Sequence, residues 1–343
     1  MPIEIASIAP SPKALSTDIQ VVRTGRNLAA LLCILLSLAS SAAFSAEQTT
    51  RVAVISDING RYGSTHYHLR VATAVERIIA LQPDLVISTG DMVAGQKPRP
   101  RLSRRQLETM WTNFHQQVRE PLQRAGIPLV MTPGNHDASA YPGFDLERKI
   151  YAEYFQAHPP MFSPGAEGNF PYHFSTEIDG LYLISLDATQ TGKLPDTQLA
   201  WLKNQFQPGP TIVFGHLPLQ PVSIGRENDI IQDARLEELL RSHGQAIYLS
   251  GHHHAYYPGT RAGINMVSMG NLGGNLRRLV GTRTSTGFSF TILDYNKTGL
   301  SRISRYTGPD FTHEALNTLL PPAIGSGEHE LHRLDLAAPP VLP

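Results

Sequence analysis

The sequence has a single cysteine in 343 residues, Cys33, preceded by Leu31-Leu32, which does not resemble a lipoprotein cleavage box. The rest of the chain offers no thiol, which excludes disulfides, thiolate catalysis and thiolate metal sites there. An excess of charge of one sign is also lacking. The 29 Lys and Arg balance 29 Asp and Glu, and no basic run marks a nucleic-acid surface. No internal repeat is present, and the glycine-rich stretch Gly270 to Gly274 has no lysine of a nucleotide loop. Long apolar runs are scarce. The Leu-rich one between Leu28 and Leu38 has about a dozen residues, where a membrane span needs about 20.

That run has the setting of a secretory signal peptide. Arg23 and Arg26 precede it, and Ser40, Ser41, Ala42 and Ala43 follow, which suits cleavage after Ala43 or Ser45. The expectation is an exported protein, periplasmic or secreted, with no stable span after cleavage; an uncleaved anchor is the alternative. The chain then divides into residues 1–46 as lead and signal, 47–306 as the globular domain, and 307–343 as a Pro/Gly/Ala-rich tail, surface-packed or disordered.

Within 47–306 one event recurs: an apolar strand, a glycine or tight turn, then a polar residue fit to bind metal. Arg51 to Ser56 leads to Asp57; Asp84 to Ser88 to Gly90-Asp91; Ile127 to Met131 to Gly134-Asn135-His136-Asp137. Thr211 to Phe214 leads to Gly215-His216, and Ala246 to Ser250 to Gly251-His252-His253-His254. Helical spacing separates them: Val71, Ala72, Val75, Ile78 and Ile79; residues 103–125; Leu199, Leu202 and Phe206; and Ile230 to Leu240. Alternation of this kind predicts an α/β sandwich with its site at the carboxyl ends of the strands. Segments 264–269, 287–294 and 299–306 read as further strands.

The collected donors are Asp, Asp, Asn, His, His and His. Oxygen and imidazole without sulfur suit Mn²⁺, Fe or Zn²⁺. A carboxylate such as Asp91 can bridge two cations, and two metals about 3.5–4 Å apart activate water and neutralise phosphoryl oxygens. His252 and His254 would share one face if their backbone were extended, with His253 turned away. Arg61, Arg277 and Arg278 are candidates for phosphate oxygens, and Tyr256 and Tyr257 for stacking on a substrate ring.

The ordered series Asp57, Gly90-Asp91, Gly134-Asn135-His136-Asp137, Gly215-His216 and Gly251-His252-x-His254 resembles the calcineurin-like metallophosphoesterase superfamily. The resemblance runs from about residue 51 to about residue 306. The stretch Leu194 to Leu202 looks like one in its cyclic-nucleotide-phosphodiesterase and purple-acid-phosphatase-like branch. It implies a metallophosphoesterase-type β-sandwich flanked by helices, two divalent ions, and a small phosphorylated substrate, monoester or diester. It implies one metal on Asp57, Asp91 and His254, and a second on Asp91, Asn135, His216 and His252. It further implies His136 beside the substrate, with Asp137 orienting it.

The departure is Asn59, where the family has a histidine. Three readings stay open. The amide oxygen binds metal in place of imidazole; Tyr62, His66 or His68 reaches in from the same loop; or one site is empty and the chain is an impaired relative that binds a phosphorylated ligand or a protein. The tyrosine by which purple acid phosphatases compensate falls at Ala94 here.

Overall fold

The computed structural model describes residues 49–336. The expected signal peptide, Cys33 and the last residues of the tail, 337–343, lie outside that range. No described helix is long and apolar enough to cross a membrane.

Two sheets form the body. The first is built from β1 Thr50–Ile55, β2 Leu85–Ser88, β3 Leu129–Met131, β11 Ser289–Asn296, β12 Gly299–Thr307 and β13 Glu314–Ala315, in the order β13-β12-β11-β1-β2-β3. The strands of the second are β4 Gly168–Asn169, β5 His173–Ile178, β6 Leu181–Ser185, β7 Thr211–Phe214, β8 Ala246–Ser250, β9 Tyr257–Arg261, β10 Ile264–Ser268, β14 Ala323–Ile324 and β15 Leu331–Arg333. Their order is β14-β15-β9-β10-β8-β7-β6-β5-β4. The pairs β1–β2, β2–β3, β6–β7, β7–β8 and β8–β10 are parallel, so their carboxyl ends share one rim of each sheet. Every residue of β2, β3, β7 and β8 is buried, as parallel strands covered on both faces require.

Side-chain alternation sorts the first sheet's residues between two cores. Val52, Val54, Leu85, Ile87 and Val130 join the core shared with the second sheet. Their neighbours Ala53, Ile55, Val86, Leu129 and Met131 join a core with three helices: α1 Leu69–Leu81, α2 Arg104–Phe114 and α5 Asp145–Ala157. The expected helix over 103–125 is present as α2, a π turn His115–Arg119, and α3 Glu120–Arg124. Ser103 and Gln106 close a capping box at its start. A short α4 Asn135–Ala138 follows β3, and α6 Asp196–Lys203 and α7 Ala234–Ser242 cover the second sheet through Leu199, Leu202, Leu236 and Leu240.

The described part of the tail packs onto both sheets. Strand β13 extends the first, β15 pairs with β9 in the second, and Phe311, Leu320, Ile324 and Leu331 are buried.

Candidate metal centre

Loops at the parallel-strand rims bring Asp57, Asp91 and His216 together, all buried, with one donor atom of each within 4.8 Å of the others. His254 Nε2 lies 3.1 Å from Asp57 Oδ1, and His216 Nε2 lies 3.3 Å from Asp91 Oδ1. His252 Nδ1 faces His216 Nε2 at 3.2 Å. The His136 amide donates to Asp91 Oδ1 at 2.9 Å.

Backbone shape makes this convergence possible. Among the described residues nine non-glycine positions have positive φ, and five of them are Asp57, Asp91, Gln96, His252 and His254. Such strain concentrates where the surrounding fold holds a functional site. It also corrects the extended reading of Gly251 to His254. Both His252 (φ 62°) and His254 (φ 50°) are left-handed, so a turn, not strand alternation, aims them inward. Close approach requires glycine at several positions of the site; a Cβ at Gly134 would collide with Asp91, and one at Gly274 with the His254 ring.

The donor set fits cations. Two candidate imidazoles are turned by a carbonyl at the far nitrogen: His216 Nδ1 donates to Thr89 O at 2.8 Å and His254 Nδ1 to Asn275 O at 2.8 Å, leaving both Nε2 lone pairs inward. Asn135 gives its amide Nδ2 to Gln96 Oε1 at 2.6 Å, and its Oδ1 is buried with no hydrogen-bond partner. A buried orphan oxygen on a residue that lines the same cavity as the buried Asp91 carboxylate is costly unless a cation meets it. Asn59 is buried, its Nδ2 donates to Val93 O at 3.2 Å, and the residue lines the cavity, so its Oδ1 is left for the open side.

Charge coupling supports the same reading. Burial opposes ionisation at each group, yet His254 holds the Asp57 carboxyl down at about 2, and His216 and His136 hold Asp91 well below the carboxylate range. Burial likewise works against the His216 imidazolium, but Asp91 and Asp57 lift it to about 9. His252 is instead pushed down to about 4 by burial, against the pull of Asp229. A cation must therefore displace a proton from His216 but none from His252 at neutral pH. Metal affinity is expected to climb about tenfold per pH unit up to about pH 9, with release of about one proton. Calorimetry in buffers of differing ionisation heat checks this, and pH-independent binding without proton release would refute it.

A cavity of about 220 Å³ opens over these residues. Asn59, Tyr62, Asp91, Asn135, His136, His252 and His254 line it, joined by Gln96, Tyr141, Thr189, Thr191, Arg226, Asp229 and Arg277. His136 donates Nδ1–H to Gly95 O at 2.9 Å and stacks under Tyr62, with ring centroids 4.8 Å apart. The orienting partner of His136 is thus the Gly95 carbonyl and not Asp137. The Asp137 carboxylate accepts from the Gly134 and Val93 amides at 2.8 Å each, tying the loop after β3 to the loop after β2. Burial and the charge of Asp91 push that carboxyl up to about 7.

Four of the five candidate substrate residues lie outside the cavity. Tyr256 is fully buried in the core under the Arg305 guanidinium, 4.9 Å from its ring centroid, and Tyr257 is buried beside it. Arg61 is exposed, and its neighbour Tyr62 takes the cavity position. Arg278 is exposed and bridged to Ser285 in extended backbone, which turns it opposite to Arg277, the cavity residue. His66 is exposed and His68 caps α1 through the Arg70 amide, so of the three residues considered as replacements for the missing histidine only Tyr62 reaches the cavity. His253, outside the expected ligand set, is buried, accepting from the Val222 amide and donating to Asp229 O.

Asp229 and Gln96 carry no motif signal because their partners are distant in sequence. Asp229 Oδ2 lies 3.6 Å from His252 Nε2 and takes Arg226 Nη1 at 2.6 Å. Replacing Asp229 by Asn is expected to weaken metal binding by about 10- to 100-fold with little loss of fold stability, as removing a carboxylate behind a metal-binding histidine does. Titration of metal-free protein measures it, and unchanged affinity would show that Asp229 serves only the loop.

The calcineurin-like phosphoesterase family model matches residues 50–256. Among solved structures, the chain is similar to a dimetal phosphatase from Danio rerio at 14% identity, covering 75% of this chain and 95% of that one, with a TM-score of 0.49. It is also similar to GAP50, the anchor in the inner membrane complex of Plasmodium, at 13% identity, covering 78% and 88%, with a TM-score of 0.49. No curated protein matches. With five ordered motifs inside the matched range and their side chains gathered around one buried donor cluster, the chain belongs to the calcineurin-like phosphoesterase family and is a metal-dependent phosphohydrolase.

Proposed function

We propose that this protein is exported and hydrolyses small phosphate esters in the cavity above Asp91, using two divalent cations. One cation would be held by Asp57, Asn59, Asp91 and His254, the other by Asp91, Asn135, His216 and His252. The observation that carries this reading is the buried cluster of Asp57, Asp91 and His216, together with the buried, unpartnered Oδ1 of Asn135, which lines the same cavity as Asp91, a donor set that a cation would complete. Cations bound there would polarise the phosphoryl group and make water acidic enough to attack at neutral pH. An amide oxygen at Asn59 in place of imidazole favours an oxygen-preferring ion such as Mn²⁺ over softer ones.

The chain's own contribution is proton handling and orientation. His136 is aimed by Gly95 O, so its Nε2 faces the centre, 3.8 Å from Asp91 Oδ2. In neutral form with Nδ1–H committed, Nε2 accepts a proton; carrying both protons, it donates to a leaving oxygen. Tyr62 stacked on His136 fixes the ring plane and covers it from solvent.

The test is turnover of p-nitrophenyl phosphate and bis-p-nitrophenyl phosphate by protein loaded with Mn²⁺, Zn²⁺ or Fe²⁺, alongside metal analysis. Bound metal without turnover in every condition would defeat the hydrolytic reading and favour a binding module, for which Asn59 is the supporting feature. Export rests on the N-terminal pattern, and the mass of the mature N-terminus decides it: a chain beginning at Phe44 or Ala46 agrees, an intact one does not.

A further inference from the structure

We propose that Arg277 selects the charge of the substrate, binding oxygens of a dianionic phosphate so that monoesters are preferred to diesters; this rests on reading the cavity as a phosphoesterase site. Arg277 lines the cavity, and its Nη1 donates to the His252 carbonyl at 2.5 Å. That bond sets the guanidinium beside a candidate metal ligand, not at the outer rim. The segment it belongs to is otherwise tied to the centre, since Gly274 backs the His254 ring and Asn275 O accepts from His254 Nδ1. The fork is therefore held in place before any ligand arrives, which is what tight anion recognition needs.

Its charge is also uncommitted. The other cavity arginine, Arg226, is paired with Asp229 at 2.6 Å. Asp57 and Asp91 face histidines at 3.1 and 3.3 Å. Among the described residues the one hydrogen bond of Arg277's guanidinium is to a neutral carbonyl, and no carboxylate lies within ion-pairing distance of it. Burial, with Arg226, works against its charge and lowers its pKa, while Asp57, Asp229 and Asp91 favour the charge from a distance. A guanidinium partly removed from water without an anion is unfavourable, and a cavity retains one when the anion is the ligand. A phosphomonoester offers the planar fork three unesterified oxygens sharing two negative charges; a diester offers two unesterified oxygens sharing one charge, so the discrimination lies in charge.

The experiment titrates Mn²⁺-loaded protein with inorganic phosphate and with dimethyl phosphate at mildly alkaline pH, with metal content measured in each variant. Wild type is expected to bind phosphate at least about tenfold more tightly than dimethyl phosphate. Arg277→Gln is expected to lose about 10- to 100-fold for phosphate and under about threefold for dimethyl phosphate, with metals retained. Arg277→Lys, keeping the charge without the fork, is expected to fall between them and covers the case in which the Gln variant does not fold. Equal binding of the two anions by wild type, equal loss of both in Arg277→Gln, or loss of metal from that variant would each overturn the proposal, the last because Arg277 would then act by holding His252. Selective phosphate binding without ester turnover would sink the hydrolase reading alone and leave Arg277's role standing.

Discussion

Replacing Asp91 by Asn is expected to abolish metal binding and hydrolysis together, lowering turnover by about 10⁴-fold or more, the scale seen when one member of a catalytic unit is removed. Asp91 sits between ligands of both proposed sites, with a donor atom within 4.8 Å of those of Asp57 and His216. Its Oδ1 lies 3.3 Å from His216 Nε2 and accepts the His136 amide at 2.9 Å, while its Oδ2 lies 3.8 Å from His136 Nε2. An amide keeps the shape but halves the oxygens and removes the charge that two cations would share. The fold is expected to survive. Without metal, Asp91 adds repulsion to Asp57 and Asp137, so a neutral amide in its place relieves like charge at the centre of the cluster. Elemental analysis and an ester assay on the same preparation are decisive, and retained activity would show that the shared ligand lies elsewhere.

The second large effect is expected at Asn59. Replacing it by His should tighten one metal site by about 10- to 100-fold and widen the range of ions accepted toward Zn²⁺, because imidazole is the better partner for that ion. The geometry suits the exchange. Asn59 donates Nδ2–H to Val93 O, a bond that a histidine Nδ1–H can replace while Nε2 takes the place of the amide oxygen. Replacing Asn59 by Ala is expected to empty that site while leaving the one served by Asn135, His216 and His252 occupied. Titration with Mn²⁺ and Zn²⁺ distinguishes the outcomes. If both variants bind as the wild type does, Asn59 is not a ligand, and Tyr62 is the remaining loop residue that reaches the cavity.

Much of the fold could be read from local pattern. Strands β1, β2, β3, β7 and β8 are apolar runs ending at polar motifs, and α1 and α2 carry helical spacing with a capping box at Ser103. Helix α5 and strands β5 and β9 show weaker patterns. Strand β9 contains a proline and a glycine, and the inner face of α5 is built of Glu147 and tyrosines as well as Ile150 and Phe155. The strands of the tail are two or three residues long, too short to show a period, and gain their order from pairing: β13 with β12, β15 with β9, and β14 with β15.

The sequence by itself determined the family, the kind of donors, and their place after parallel strands, because motif order and the periods of strand and helix are properties of neighbouring residues. Only the tertiary structure decided which member of an adjacent pair faces the cavity, Arg277 and not Arg278, Tyr62 and not Arg61, and that a turn instead of extended backbone aims His252 and His254. Left-handed residues at Asp57, Asp91, His252 and His254 break the alternation by which side-chain direction is read from extended backbone, and the segments of Tyr62 and Arg277 take their course from partners distant in sequence, through the bonds of Gly63 to Ala94 O and of Arg278 O to Ile224. Gln96 and Asp229 were equally hidden, since their partners Asn135 and His252 reach them only when the strand order closes the rim. The buried oxygen of Asn135, left without a partner by that closure, is a fact of packing that no spacing of residues could announce.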